Sequence, residues 1–233
     1  MRYLPLTVAA GLALALSAAS AQERPGTTQA KPSPGSTWVK LCETPASAGR
    51  DLFGKPAEIG VKTCLIHHER LDSTSGNLHV AAGIRQTGAR HTFTVMLPAD
   101  VHQPSGTRVD IFPLDLWEKV LRREPLKRPE IPRMRTLKLK FAVCRADGCT
   151  AETDADPGLM ADLRSSAGFV VFAFRYGQKP TAYPVTLGGF GAAYDGPATD
   201  STRFYAARAE LLRRFRERQG PRIQPQRPKG QDI

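Results

Sequence analysis

Apolar and polar residues alternate with a period of two over several short stretches of this chain, the mark of strands with one face buried. In HTFTVML, residues 91–97, Phe93 and Val95 alternate with Thr92, Thr94 and Met96. In TLKLKFAV, residues 136–143, Leu137, Leu139 and Phe141 alternate with Lys138, Lys140 and Ala142, so one face is apolar and the other mostly charged. Residues 61–69 read as a strand with Val61, Thr63, Leu65 and His67 on one face and Lys62, Cys64, Ile66 and His68 on the other. Residues 78–86 and 91–97 pair as a hairpin through TGAR. FVVFAFRY, residues 169–176, is almost continuously apolar and is expected at the centre of a sheet. Further strands are expected at 38–42, from about Thr107, and at 183–187.

Helical periodicity is scarcer. In DADPGLMADLRSS, Asp156 can cap a helix, Pro157 suits its first position, and Leu159, Met160 and Leu163 form a stripe. Residues 204–218 place Phe204, Leu211 and Phe215 on one face with Tyr205 and Leu212 beside it, and Ser201 or Thr202 can cap the start. Seven or eight strands with two helices predict a mainly β fold. The expected architecture is an antiparallel β sandwich or barrel-like domain, disulfide-stapled, with one or two peripheral helices.

The first residues change the picture because they set the compartment. MRYLPLTVAAGLALALSAASAQ has a positive Arg2, an apolar run over 4–16 and a small-x-small pattern at Ala19-Ser20-Ala21. Residues 1–21 therefore read as a signal peptide, with no transmembrane span after its removal. Residues 22–35 read as a disordered leader rich in Pro and Gly, 36–200 as the β domain, 201–218 as an amphipathic basic helix, and 219–233 as a disordered basic tail. The expected location is the periplasm or the outer-membrane surface.

Export to an oxidising space turns an even cysteine count towards disulfides. Cys42, Cys64, Cys144 and Cys149 allow three pairings. Cys144–Cys149 with Cys42–Cys64 is favoured, because Asp147-Gly148 can turn the chain between the first two. A zinc site needs two close ligand pairs, and only the C-x4-C pair is close. A redox pair more often shows C-x-x-C at a helix start.

Net charge is +11, unevenly placed. Residues 118–140 hold nine Lys/Arg against three Glu, and residues 200–233 hold nine against four acids. The candidate anion-binding residues are Arg122, Arg123, Lys127, Arg128, Arg133 and Arg135, in a proline-interrupted stretch that reads as a projecting loop. Arg208, Arg213, Arg214, Arg216 and Arg218 join them from the polar side of the last helix. Such charge serves solubility, or it serves contact with phospholipid headgroups, lipopolysaccharide phosphates or an acidic protein. Nucleic acid is disfavoured by export, and no aromatic platform interleaves the charges.

Enzyme signatures do not emerge. His67 and His68 are neighbours on a strand, point to opposite faces and cannot chelate together; they read as surface and half-buried histidines. G-x-S-x-G is absent, and Ca²⁺-loop spacing is missing among Asp147, Asp154, Asp156 and Asp162. Residues 189–194, GFGAAY, end in Tyr194 where a dinucleotide fingerprint needs glycine, and read as a tight packing turn with Phe190 as a core plug. No catalytic residue, metal or cofactor is expected.

Taken in order, the Trp38-led strand, VKTCLIHHE, FTVMLPADV, LKFAVCRADGC, LRSSAGFVVFAFRY and YPVTLGGFGAAYDG resemble the invasion-associated locus B family of exported bacterial proteins over roughly residues 36–195. The most specific pieces are Cys144 to Cys149 and VTLGGFGAA, residues 185–193. The resemblance implies a periplasmic or envelope-associated, disulfide-bearing β domain linked to host-cell invasion, and it supplies no catalytic residues. Three departures stand out: Pro98-Ala99-Asp100 replaces a usual Pro-Leu-Gly, residues 117–135 lengthen a connection, and the chain extends beyond Asp200. The expected function is non-catalytic binding of another envelope or host component. The alternative is a periplasmic hydrolase or thiol-redox enzyme with an unrecognised site.

Overall fold

The computed structural model describes residues 38–50, 56 and 58–219. The predicted signal peptide, the leader and residues 220–233 of the tail lie outside them. Nine strands form one sheet: β1 (Val39–Glu43), β2 (Thr63–Leu71), β3 (Leu78–Thr87), β4 (Arg90–Leu97), β5 (Thr107–Phe112), β6 (Arg135–Arg145), β7 (Gly148–Asp154), β8 (Gly168–Ala173) and β9 (Thr181–Thr186). Their order is β1-β2-β3-β4-β7-β6-β5-β8-β9, with every neighbouring pair antiparallel. The predicted hairpin is β3–β4, with Thr87 opposite Arg90. β7 was not foreseen from the pattern, because its buried residues include the short Cys149 and Ala151, which give little apolar signal.

The sheet curls into a half-barrel around one core instead of splitting into two layers. Ile66, Val80, Ala82 and Ile84 from one half share that core with Val109, Ile111, Val171 and Val185 from the other. Phe93 of β4 meets Phe169 of β8 edge to face, with centroids 5.7 Å apart. Side chains draw the two edges together. The Trp38 indole N–H donates to the Thr186 carbonyl at 2.7 Å, and Arg70 donates to the Pro184 carbonyl at 3.2 Å. Each such bond satisfies a carbonyl that the sheet ladder leaves open on the β9 side.

β8 lies next to the edge and not at the centre as its apolar run implied. It reads as a central strand because both of its faces are covered. Phe169 and Val171 face the core, while Val170 and Phe172 pack outward against α1 (Leu114–Leu121). This helix precedes the stretch from Arg122 that was expected to project as a loop. That stretch is non-helical up to a 3₁₀ segment, but ion pairs hold it against the helix instead of letting it project. Leu116, Trp117 and Val120 lie on one side of a helical turn and pack over Phe112 and Val170, and that burial outweighs the prolines downstream. The prolines instead shape a 3₁₀ segment, Arg128–Arg133, that folds back on the helix.

α2 (Pro157–Ser165) starts as predicted, with the Asp156 carboxylate accepting from Leu159 N at 2.6 Å. The glycine turn continues into α3 (Phe190–Asp195), a short helix whose Phe190 is fully buried against Trp38. α4 (Ser201–Arg218) is capped by Asp200, whose side chain accepts from Arg203 N, in place of Ser201 or Thr202.

Candidate functional site

Two cross-strand disulfides staple the sheet, one at its β1 edge and one in the middle of its order. Cys42 and Cys64 are direct partners across β1–β2, and Cys144 and Cys149 across β6–β7. No free cysteine and no group of three or more His, Cys, Asp or Glu side chains placed to hold a metal ion occurs among the described residues.

Residues 113–134 form the first basic surface. The Trp117 ring lies flat against the Gly168 backbone, where an added Cβ would stand 2.4 Å from the indole. Ion pairs then knit the layer: Lys119 to Glu130, Arg133 to both Asp115 oxygens at 2.7 and 2.9 Å, and Arg122 to Glu124 at 2.6 Å. The Arg133 hydrogen bonds hold the Asp115 carboxyl below the usual carboxylate range. Arg135 is anchored to Asp162 at 2.8 Å and Asp156 at 3.4 Å. Arg123, Lys127 and Arg128 are exposed and make no ion pair among the described residues. Lys138 and Arg108 pair in register on the same outer face, and Arg108 lies 4.2 Å over the Phe172 ring.

Sequence reasoning missed one feature of this layer. Leu114 and Leu121 lie seven residues apart on one stripe of α1 and are 64% and 57% exposed, and Ile131 on the 3₁₀ segment is 48% exposed. Three of the seven exposed large apolar residues among the described residues therefore fall in this one connection. The signal was present as Leu114 and Leu121 at a spacing of seven, but only the buried stripe beside them shows that they are the outward residues.

On the second basic surface, α4, three of the six arginines are tied to carboxylates. Arg208 Nε donates to Glu69 at 2.7 Å. Arg213 and Arg214 both grip Glu210, at 2.8 Å, and hold its carboxyl down to about 2, and Arg213 also reaches Glu217. Arg218 stacks 4.7 Å over Phe215. Arg216 alone among these five has neither an ion pair nor a ring contact. The predicted stripe is only partly buried: Phe215 packs on the domain while Leu211 stays exposed.

α4 crosses the outer face of β2–β4, and under it lies a cleft of ≈ 400 Å³ lined by Leu78, Ala81, Met96, Leu212, Glu69 and Asp147 among others. His67, also on its wall, is 2% exposed, and His68 is 6% exposed, so both are buried where surface and half-buried positions were expected. They point to opposite faces: His67 stacks edgewise on Phe204 of α4, and His68 tilts against Trp38 in the core. Burial holds His67 down to about 4, so it is neutral at pH 7. The two basic segments thus sit on the outer faces of opposing halves of the curled sheet, and the fold does not bring them together.

Residues 128–198 match the model of the family described as invasion associated locus B (IalB) protein. The IalB match begins within the 3₁₀ segment and runs through β6–β9 and α3, taking in Cys144–Cys149 and Phe190. It is narrower than the 36–195 expected from the sequence. The crystal structure of invasion associated protein b from Bartonella henselae is similar with a TM-score of 0.41 at 14% identity, covering 73% of this chain and 96% of that one. No curated protein matches the sequence. Among the described residues no helix is long and apolar enough to cross a membrane.

Proposed function

We propose that this chain is a non-catalytic, exported binding protein of the bacterial cell envelope. In this reading a disulfide-stapled β scaffold meets an anionic envelope or host component through residues 113–134. Export is supported by the pattern of residues 1–21, and two disulfides suit an oxidising compartment. The observation that carries the reading is the group of exposed cations on the first basic surface. There Arg123, Lys127 and Arg128 are exposed and make no ion pair among the described residues, in the same connection as the outward Leu114, Leu121 and Ile131. Unpaired surface cations are the ones free to meet an external anion. An invasion role, as the family's description implies, would rest on attachment of this kind.

The test is retention of the purified protein on an isolated bacterial envelope fraction. Wild type should be retained at low salt and released at high salt. The triple variant Arg123→Gln/Lys127→Gln/Arg128→Gln should be lost at both, and equal retention of the variant and wild type would overturn the reading.

A further inference from the structure

We infer that the α1 layer docks on an anionic lipid bilayer, with Leu114, Leu121 and Ile131 entering the headgroup region and Arg123, Lys127 and Arg128 contacting lipid phosphates. This rests on the proposed envelope role and names its partner. The helix is amphipathic on two sides. Its inner stripe of Leu116, Trp117 and Val120 is committed to the sheet, and Leu114 and Leu121 are left more than half exposed. Leaving two leucines and an isoleucine in water costs the burial free energy that an interface would recover.

The charge around them is of one useful sign. The acids of the layer, Asp115, Glu124 and Glu130, are engaged by Arg133, Arg122 and Lys119, and Glu118 lies within 3.8 Å of Arg122. The unengaged charges are cationic. Exposed apolar side chains rimmed by free cations are the composition of a helix lying in a bilayer interface, where apolar burial and attraction to anionic headgroups act together. A soluble polyanion would use the cations and gain nothing from the leucines, so the apolar residues select the lipid surface over free phosphate.

The layer is also held rigid where it meets the sheet. Trp117 sits on Gly168, and Arg133 clamps Asp115, so docking needs no refolding of α1. Little ordering is then required at the surface.

Co-sedimentation of the full chain with vesicles of phosphatidylcholine alone, and with one quarter phosphatidylglycerol, tests the inference. Binding should appear only with the anionic vesicles. It should weaken about fivefold for each of Arg123, Lys127 and Arg128 changed to Gln. Leu114→Ser/Leu121→Ser should weaken it about tenfold while leaving the thermal midpoint unchanged, since both residues are exposed. Binding unaffected by the leucine changes, or abolished equally for all variants by soluble polyphosphate, would overturn the bilayer assignment in favour of plain anion binding. Envelope retention without any vesicle binding would overturn it in favour of an acidic protein partner, and would leave the envelope role standing.

Discussion

The Phe215 ring of α4 rests directly on Gly76, so that a Cβ added to the glycine would stand 2.6 Å from Phe215 Cγ. Gly76 has a φ of 69°, so it meets two demands that alanine cannot meet together: a left-handed backbone and room for the ring. Gly76→Ala should therefore cost about 2 to 4 kcal/mol through backbone strain and overpacking. Denaturant unfolding measures it. A Phe215→Ala background should remove most of the steric share, and additive losses in the double variant would contradict the contact.

Acid stability should depend on His67. In the unfolded chain its imidazole takes a proton near pH 6.5, but in the folded chain only near pH 4, because burial penalises the charged ring and Arg208 and His68 add to that, against the pull of Glu69. Between those values the unfolded state binds the extra proton. Stability from this group is thus fully present above about pH 6.5, falls as pH drops, and levels below about pH 4, a total of about 3 kcal/mol. His67→Gln should show a shallower loss over that window than wild type, by up to about 1.4 kcal/mol per pH unit. Parallel curves for the two proteins would place the acid sensitivity elsewhere.

The two disulfides should contribute unequally. The loop closed by Cys42–Cys64 has a sequence separation of 22 and that closed by Cys144–Cys149 one of 5. By loop closure in the unfolded chain, replacing the first pair with serines should cost about 3 kcal/mol and the second about 2 kcal/mol. Midpoints of urea unfolding for the two double variants give the order. A larger loss from the short loop would show that native-state packing at Cys149, which is fully buried, outweighs the entropy.

Gly168→Ala should lift α1 from the sheet. Its Cβ would meet the Trp117 ring within 2.4 to 2.5 Å, on backbone-anchored β8, so the indole has to yield. A destabilisation of about 1 to 3 kcal/mol is expected, with a red-shifted tryptophan emission as Trp117 moves towards water. Unchanged emission would mean that the layer adjusts without losing that contact.

Strands were legible wherever long apolar residues alternate, as in β4 and β6, and α2 announced itself by Asp156 and Pro157 at its start. β7 escaped because Cys149 and Ala151 carry its burial in short side chains, a period-two pattern without hydrophobic weight. The α1 helix went unread because its buried stripe is only three residues long, and the residues that fix it, Gly168, Val170 and Phe172, come from a strand some fifty positions later. The arginines of both basic segments were visible as charge, but their partners were not. Glu69 of β2 reaches Arg208 through the packing of α4 on the sheet, and Asp162 reaches Arg135 from α2.

β5 and β6 are hydrogen-bonded antiparallel neighbours, so a simple reversal would suffice to join them, yet the chain spends residues 113–134 on the journey. Lengthening such a link is thermodynamically mild. The consequence falls on β8, whose outward Val170 and Phe172 are tolerable only beneath that detour. A relative that shortened the link to a hairpin would have to make those two positions polar in the same lineage. The length of the excursion and the apolar outer face of a distant strand are therefore physically coupled, and a change in one exposes the other.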